Sequence, residues 1–398
     1  MKTSFLLKYL SENGIPFTAS PFVVAGEYIS QTLPENLSFG GSSRFLQQLV
    51  ARTGKPIYEV SVFVGRFQPI HNEHLSTIKS GLQISEKLVV VLGSAKRPRD
   101  PKNPWKDSER EEMIRASLSE EENARTFFLP MQDFWYNNPL WFVKVHEGVK
   151  RFVGSGKTIT IIGFEKDATS WYLKGFPQWD FVPFYSKETT SATDVRAKLF
   201  QSTEVSEKTF EYLPIPFATA NYLMEWFRKN PEIVDSLIKE NIFLQEYRKK
   251  WDKAPFKPTF VTVDAVVVKS AHVLLVRRGR NPGKGLLALP GGFLNQEEEI
   301  EDAALRELRE ETKIKVSDDE LRNSIETSRV FSHPGRDLRG RTITHAYLID
   351  LGIGDLPLVK GSDDADEALW VPLAEVHDRA EEFFGDHYAI ITNLVHSL

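Results

Sequence analysis

Residues 60–74 read VSVFVGRFQPIHNEH, and the first half of the fold follows from them. Val60–Gly65 is a β-branched and aromatic run that stops at a glycine, the pattern of a buried strand. A helical pattern comes next, with Leu75, Ile78 and Leu82 on one side. Working outward, KLVVVLGS (87–94), TITIIGFE (158–165) and WDFVPFY (179–185) read as further strands. Strands alternating with helical stretches predict parallel βαβ units, whose ligands lie beyond the carboxyl ends of the strands. Gly65, Gly93 and Gly163 fall at those ends.

His71 and His74 are three residues apart, hence on one face of the first helical turn. Free N–H groups and the dipole at a helix start favour phosphate. Two imidazoles there can bond phosphate oxygens and meet charge developing at phosphorus. A zinc site would need more ligands, and the chain has nine histidines and no cysteine.

Residues 201–255 are charged and helical in flavour, with Pro231 as an interruption, and APFKPTF (254–260) reads as a connector. VTVDAVVV and AHVLLVRR then predict paired strands with a turn near Lys269–Ser270. LLALPGGF precedes an acidic helix over 297–312. TITHAYLIDL (342–351) and EALWVPL (367–373) are strands, and Ala374–Phe384 is predicted as the last helix. At about 100° per residue, Glu307 and Glu311 fall within about 20° of Ile300 on the helical wheel, with Ala303, Ala304 and Leu308 on the same side. Carboxylates on a face that should be buried need a cation. Mg²⁺ or Mn²⁺, hard ions that prefer oxygen, fit. There is no internal repeat. The expected division is an extension of unread role (1–55), a first domain (56–200), a helical segment and linker (201–255) and a second domain (256–398). In the extension, Ser4–Leu10 suggests a short helix and SFGGSS (38–43) a loop.

Composition bounds the function. The chain's 398 residues, 41% hydrophobic and 26% charged, suit two globular cores. Without cysteine there is no disulfide framework, thiolate metal site or cysteine nucleophile. A net charge of -5 argues against a general grip on nucleic acid. No apolar run reaches membrane-spanning length, and MKTSFLLKYLSENG lacks a signal-peptide pattern. The expectation is a cytoplasmic protein with no membrane partner; assembly as a homo-oligomer is left open.

Gly65–His74 resembles the GRFxPxHxxH signature of the nucleotidylyltransferase superfamily, and is most similar to the nicotinamide mononucleotide (NMN) adenylyltransferases of the archaeal type. KNPWKDSERE (102–111) resembles that family's adenosine-side motif at Asn103 and Arg110. IIGFEKDATSWYLKGFPQW (161–179) resembles its adenine and mononucleotide loop at Gly163, Lys166 and Asp167. TSATDVR (190–196) resembles its capped phosphate helix, with Ser191 or Thr193 as cap and Arg196 aimed at phosphates. WYNNPLW (135–141) resembles the region that stacks the nicotinamide ring, at Trp141 with Asn138 nearby. Thr190 and Glu73 depart from the family's usual residues. The resemblance implies attack of the NMN 5′-phosphate on the α-phosphorus of ATP, giving NAD and pyrophosphate. Gly65, Arg66, Phe67, His71, His74 and Arg196 would line the ATP side, His74 would be the main transition-state contact, and Mg²⁺ would ride on the triphosphate.

GFLNQEEEIEDAALRELREETKI (292–314) resembles the Nudix box at Gly292, Glu298, Arg306, Glu307, Glu310 and Glu311; Lys313 replaces a glycine. Flanking segments resemble Nudix domains that hydrolyse ADP-ribose to AMP and ribose 5-phosphate. This implies Glu307, Glu310 and Glu311 as ligands of Mg²⁺ or Mn²⁺, with Glu310 and Glu311 in catalysis. Glu310, Asp363 or Asp364 would be the general base, and Glu298 would pair with Arg306. Arg278, Arg336, Arg339 and Arg341 would lie near phosphates. The expected fold is α/β, a Rossmann-like nucleotidylyltransferase domain on a parallel sheet followed by a Nudix α/β/α sandwich. The expected protein is a bifunctional enzyme of NAD metabolism. Its rivals are an adenylyltransferase of other specificity, or a transferase whose Nudix half only senses ADP-ribose.

Overall fold

The computed structural model describes residues 46–47, 50–51, 53–153, 158–164, 172–173, 175–184, 191–201 and 207–395. The segment expected to form a helix at Ser4–Leu10 lies outside them. The first domain is built on β1 (Tyr58–Gly65), β2 (Ser85–Ala95), β3 (Thr126–Gln132), β4 (Ile159–Gly163) and β5 (Asp180–Pro183), in the order β3-β2-β1-β4-β5. All four pairings are parallel. A parallel sheet must be covered on both faces, and β1 shows how. Val60, Val62 and Val64 pack with Val89, Val91 and Ile161 on one face. Phe63 packs with Leu88, Val90 and Ile162 on the other. α1 (Asn72–Ile84) covers the second face through Ile78 and Leu82. α4 (Asn138–Lys150) covers the first through Val145 and Val149. β3 carries Pro130, which an edge strand tolerates. Between β2 and β3 lie α2 (Asp107–Arg115) and α3 (Glu120–Ala124); α5 (Ala192–Leu199) and α6 (Glu207–Glu211) follow β5.

Two helices strap the domains together. α7 (Phe217–Lys229) and α8 (Pro231–Lys249) break at Pro231, as the sequence suggests. Leu223, Trp226, Leu237 and Ile238 join the first core. At the far end of α8, the Arg248 guanidinium donates to the Leu338 carbonyl of the second domain at 3.0 Å. Midway along it, the buried Glu240 carboxyl accepts from the Gly283 N–H. Burial first, then the Asp100 charge, pushes this carboxyl from 4.5 up to about 7. The native state therefore holds a proton that the unfolded chain has released, and stability falls as pH rises from 4.5 through about 7. Glu240→Gln is expected to raise Tm at pH 8 and to leave it unchanged at pH 4; equal shifts at both pH values would contradict this.

The second domain is a mixed sheet. Its path is β10-β11-β6-β7-β12, with β8 on β7 and β9 on β6. The strands are β6 (Thr259–Lys269), β7 (His272–Arg278), β8 (Leu287–Ala288), β9 (Gly291–Phe293), β10 (Ile325–Phe331), β11 (Arg341–Asp350) and β12 (Ala365–Pro372). β11 runs parallel to β6, and the other pairings are antiparallel. α9 (Ile300–Thr312) packs on one face through Ala303, Ala304 and Leu308. α10 (Asp318–Asn323) follows it, and α11 (His387–Leu394) covers the other face through Ile390, Ile391 and Leu394. The helix predicted at Ala374–Phe384 is instead two 3-10 turns, Leu373–Glu375 and Ala380–Glu382. Val376, Ala380 and Phe383 are spaced as on a helix and are all buried, so a loop carries a helical period. α9 begins at Ile300 rather than Glu297, because Glu298 is held in the preceding loop by Arg306 and Asn295. No helix among the described residues is long and apolar enough to cross a membrane.

Candidate active sites

The first site is a cavity of about 1410 Å³ beyond the carboxyl ends of β1 and β2. Gly65, Arg66, Phe67, His71, His74, Asn103, Asn138, Trp141, Ser191, Thr193 and Arg196 all line it. The loop after β1 is shaped by Phe67, a residue at φ 51° whose ring meets His74 edge-on at 4.8 Å. His71 is the N-cap of α1: its Nδ1 accepts the His74 N–H at 3.4 Å. The two imidazoles stack with centroids 3.5 Å apart. Surrounding protein, then the His71 ring, push the His74 imidazole well below 6.5, so it is neutral at pH 7. Its Nδ1 is buried and has no partner among the described residues, which leaves Nε2 as the nitrogen a ligand can reach.

Ser191 caps α5, accepting from the Thr193 N–H at 3.1 Å. Arg196 donates to the Gln68 carbonyl at 2.5 Å and to Thr193 Oγ1 at 3.1 Å, so it also holds the β1 loop in place. Burial, opposed by nearby acids, brings its guanidinium down to about 10, and it stays charged. Gln68, absent from the sequence-derived set, clasps the Trp105 backbone in both directions, at 2.8 and 3.1 Å. That clasp fixes the segment presenting Asn103, whose Oδ1 is buried with no partner among the described residues.

Two expected contacts do not face this cavity. Arg110 is almost fully buried and donates to the Arg66 and Gly93 carbonyls at 2.6 and 2.7 Å. It braces the ends of β1 and β2. Gly163 ends β4 off the cavity wall, where a side chain would meet Leu173 at 3.1 Å. Lys166 and Asp167 lie outside the described residues.

The second site is a cavity of about 320 Å³ between α9, β9 and the loops before β11 and α11. Glu307, Glu310, Glu311, Gly292, Arg278, Arg336, Arg339, Asp363 and Asp364 line it. Arg306 organises the helix: it forks onto Glu298 at 2.6 and 2.9 Å and reaches Glu307 at 2.8 Å and Glu310 at 2.9 Å. Gly292 leaves room for the Glu307 carboxylate, since a Cβ there would lie 2.4 Å from Glu307 Oε1 and turn that side chain aside. Glu311 accepts the Gly291 N–H at 3.0 Å. Burial raises its carboxyl to about 8, against the Gly291 bond and with the Glu307 charge adding to the rise. Glu307 is raised as well, chiefly by burial. Among the described residues no three acidic or histidine side chains are set as a ready ion cage; Glu307 and Glu310 are turned onto Arg306.

The arginines divide. Arg278 donates to the Pro282 carbonyl at 2.9 Å and lies over the Phe384 ring. Arg336 pairs with buried Asp386 at 3.0 Å and lies 3.7 Å from Asp264. Arg339 pairs with Asp337 and covers Phe293. Arg341 is off the cavity, its guanidinium donating to the Ser332 carbonyl at 2.7 Å. Asp264, Asp386 and His387 were not in the sequence-derived set. Asp264 had a signal, being the one charged residue in the strand run VTVDAVVV.

A phosphate-type cleft at the head of a parallel sheet and a glutamate-lined helix on a mixed sheet define a nucleotidylyltransferase joined to a Nudix hydrolase. Comparison with known proteins agrees. The cytidylyltransferase-like family model matches residues 62–198, and the NUDIX domain model matches 258–394. The chain is 39% identical over 161 residues to the nicotinamide/nicotinic acid mononucleotide adenylyltransferase of Acinetobacter baylyi, covering 40% of this chain and 85% of that protein. It is 36% identical over 140 residues to the ADP-ribose pyrophosphatase of Methanocaldococcus jannaschii, covering 33% of this chain and 78% of that protein. A bifunctional NMN adenylyltransferase/ADP ribose pyrophosphatase from Francisella tularensis superposes with a TM-score of 0.79 at 34% identity, over 85% of this chain and 99% of that one. A second structure of that description, complexed with AMP and a manganese ion, matches equally. The chain belongs to the bifunctional NMN adenylyltransferase/ADP-ribose pyrophosphatase family, and is an enzyme with both activities.

Proposed function

We propose that the first cavity joins NMN to the adenylyl group of ATP, and that the second cleaves ADP-ribose with the help of a divalent cation. The observation that carries the transferase is the stacked His71–His74 pair in one cavity with Asn103, Trp141 and Arg196. An oxygen of the NMN phosphate forms a bond to the α-phosphorus as the bond to the leaving pyrophosphate breaks. No enzyme nucleophile is needed, so the work is positioning and charge stabilisation. His74 Nε2–H and the Arg66 and Arg196 guanidiniums meet the growing negative charge. Asn103 Oδ1 supplies an acceptor on the adenosine side, and Trp141 a ring face for nicotinamide.

In the hydrolase, water attacks one phosphorus of ADP-ribose, releasing AMP and ribose 5-phosphate. The donor set is all carboxylate, and burial raises the Glu311 carboxyl to about 8, a cost that a nearby cation would offset; both features fit Mg²⁺ or Mn²⁺. Glu311, with Glu307 and Glu310 released from Arg306, would hold the ion, which would act as Lewis acid and lower the pKa of a bound water. Arg278 and Arg339 would face the diphosphate, and Glu310 and Asp363 are wall carboxylates able to take the water's proton. Purified full-length protein is expected to form NAD from NMN plus ATP, and AMP from ADP-ribose, both followed by chromatography. A chelator such as EDTA should abolish AMP release, and excess Mg²⁺ or Mn²⁺ should restore it. Undiminished cleavage in EDTA would remove the metal from the mechanism.

A further inference from the structure

The transferase cavity does not end with the first domain. His333, Gly335, Arg336 and Phe384 of the second domain also line it. The joint is organised around Trp135, whose ring lies between the Arg97 guanidinium at 4.6 Å and the His333 imidazole, stacked with centroids 4.6 Å apart. His333 is fixed within its own turn, where its Nδ1 accepts the Gly335 N–H at 3.1 Å. Arg97 pairs with Asp133 at 3.3 Å and reaches the Gly385 carbonyl at 3.5 Å.

Most basic groups at this end of the cleft are already engaged. Arg97 is held by Asp133, Arg99 by Glu109 and the Pro104 carbonyl, and Arg196 by Gln68 and Thr193. Asp100 is used by the backbone N–H groups of Lys102 and Asn103. The Arg66 guanidinium and the Lys102 ammonium have no hydrogen-bond acceptor among the described residues. Lys102 is half-buried at the domain boundary, and its Nζ lies 3.3 Å from where a Cβ on Gly335 would stand. Burial, then the like charges of Arg66 and Arg97, lower its pKa. Asp100 and Asp133 offset this crowding only in part, and a polyanion in the same space relieves what is left.

We propose that Lys102, beneath the His333–Gly335 turn, binds the polyphosphate end of ATP and the pyrophosphate that leaves, with the hydrolase domain forming the outer wall of that subsite. This rests on the transferase reading of the cavity. The ligand class follows from position: Lys102 adjoins Arg66 in the β1 loop, while the ring face of Trp141 belongs to α4.

The test uses the full-length chain. Lys102→Met is expected to raise the KM for ATP and the calorimetric Kd for inorganic pyrophosphate about tenfold or more, as loss of a charge-assisted bond does. The KM for NMN and the rate of ADP-ribose cleavage should hold, and Lys102→Arg should recover most of the ATP affinity. Gly335→Val lies on the other domain and crowds the same ammonium. It should raise the KM for ATP several-fold, with retained ADP-ribose cleavage reporting that the fold is intact. Parental ATP and pyrophosphate affinities in Lys102→Met would overturn the proposal, and a parental KM for ATP in Gly335→Val would overturn the domain's part in it. If wild-type protein forms no NAD, the transferase reading fails. Calorimetry then still decides the subsite, according to whether wild type binds pyrophosphate and Lys102→Met does not.

Discussion

His74→Ala is expected to lower kcat for NAD formation by about 10²–10³-fold, the usual effect of removing one donor aimed at transition-state charge. The ring is already in place in the free protein, stacked on His71 and edged by Phe67, so no reorganisation accompanies charge development. Being neutral at pH 7, it would present N–H to the phosphorus-bound oxygens without binding the ground-state phosphate as an ion pair. The loss should therefore fall on kcat more than on the KM for ATP. His71→Ala should differ. It also removes the N-cap of α1, at a cost of about 1 kcal/mol in stability, so Tm falls with activity. The sign of the pH effect follows from the depressed His74 value. The native state resists a proton that the unfolded chain accepts below 6.5, so this contribution to stability is complete above pH 6.5 and shrinks as pH falls below it. Steady-state kinetics with ATP varied would measure the split; an unchanged kcat in His74→Ala would take the imidazole out of the reaction.

The sequence made contiguous features legible and left distant pairings dark. β1, β2, β4 and β5 are branched or aromatic runs in a doubly covered sheet, where composition alone marks a strand. β3 is interrupted by Pro130 at an edge. β10, IETSRVF, is mostly exposed and carries no apolar signature, whereas β3, TFFLPMQ, has an apolar run that its proline disguises as a loop. The transferase histidines lie within one turn of helix, and the Nudix carboxylates within another. Arginines are different, because residue type does not say whether a guanidinium faces a cavity or a carbonyl. Arg110 and Arg341 are spent on backbone oxygens, and Arg336 on buried acids. The joint between the domains was invisible for a related reason. Tyr136 bonds Asp386, and Trp135 stacks on His333, across about two hundred or more positions of chain, with no local pattern at either end.

Glu311→Gln is the corresponding test of the hydrolase, and its effect should be on the order of 10³-fold or more in the rate of AMP release, because it withdraws a charge from the cation that the reaction needs. The substitution keeps shape and can still accept the Gly291 N–H, so the fold should survive. It also removes a titration. Without a cation, the native Glu311 carboxyl holds its proton from 4.5 up to about 8, while the unfolded chain releases it near 4.5. The native state then carries the extra proton, and stability of the metal-free protein declines as pH rises through that window. Glu311→Gln should flatten this decline, and Mn²⁺ should raise the Tm of the parent more at pH 8 than at pH 6, since the ion must displace a proton to bind. Thermal unfolding between pH 5 and 9, with and without Mn²⁺, measures both trends beside the hydrolysis assay. A glutamine variant that cleaves ADP-ribose at the parental rate, or that gains as much Tm from Mn²⁺ as the parent, would place the cation elsewhere in the cavity and leave Glu311 a buried acid held by Gly291 alone.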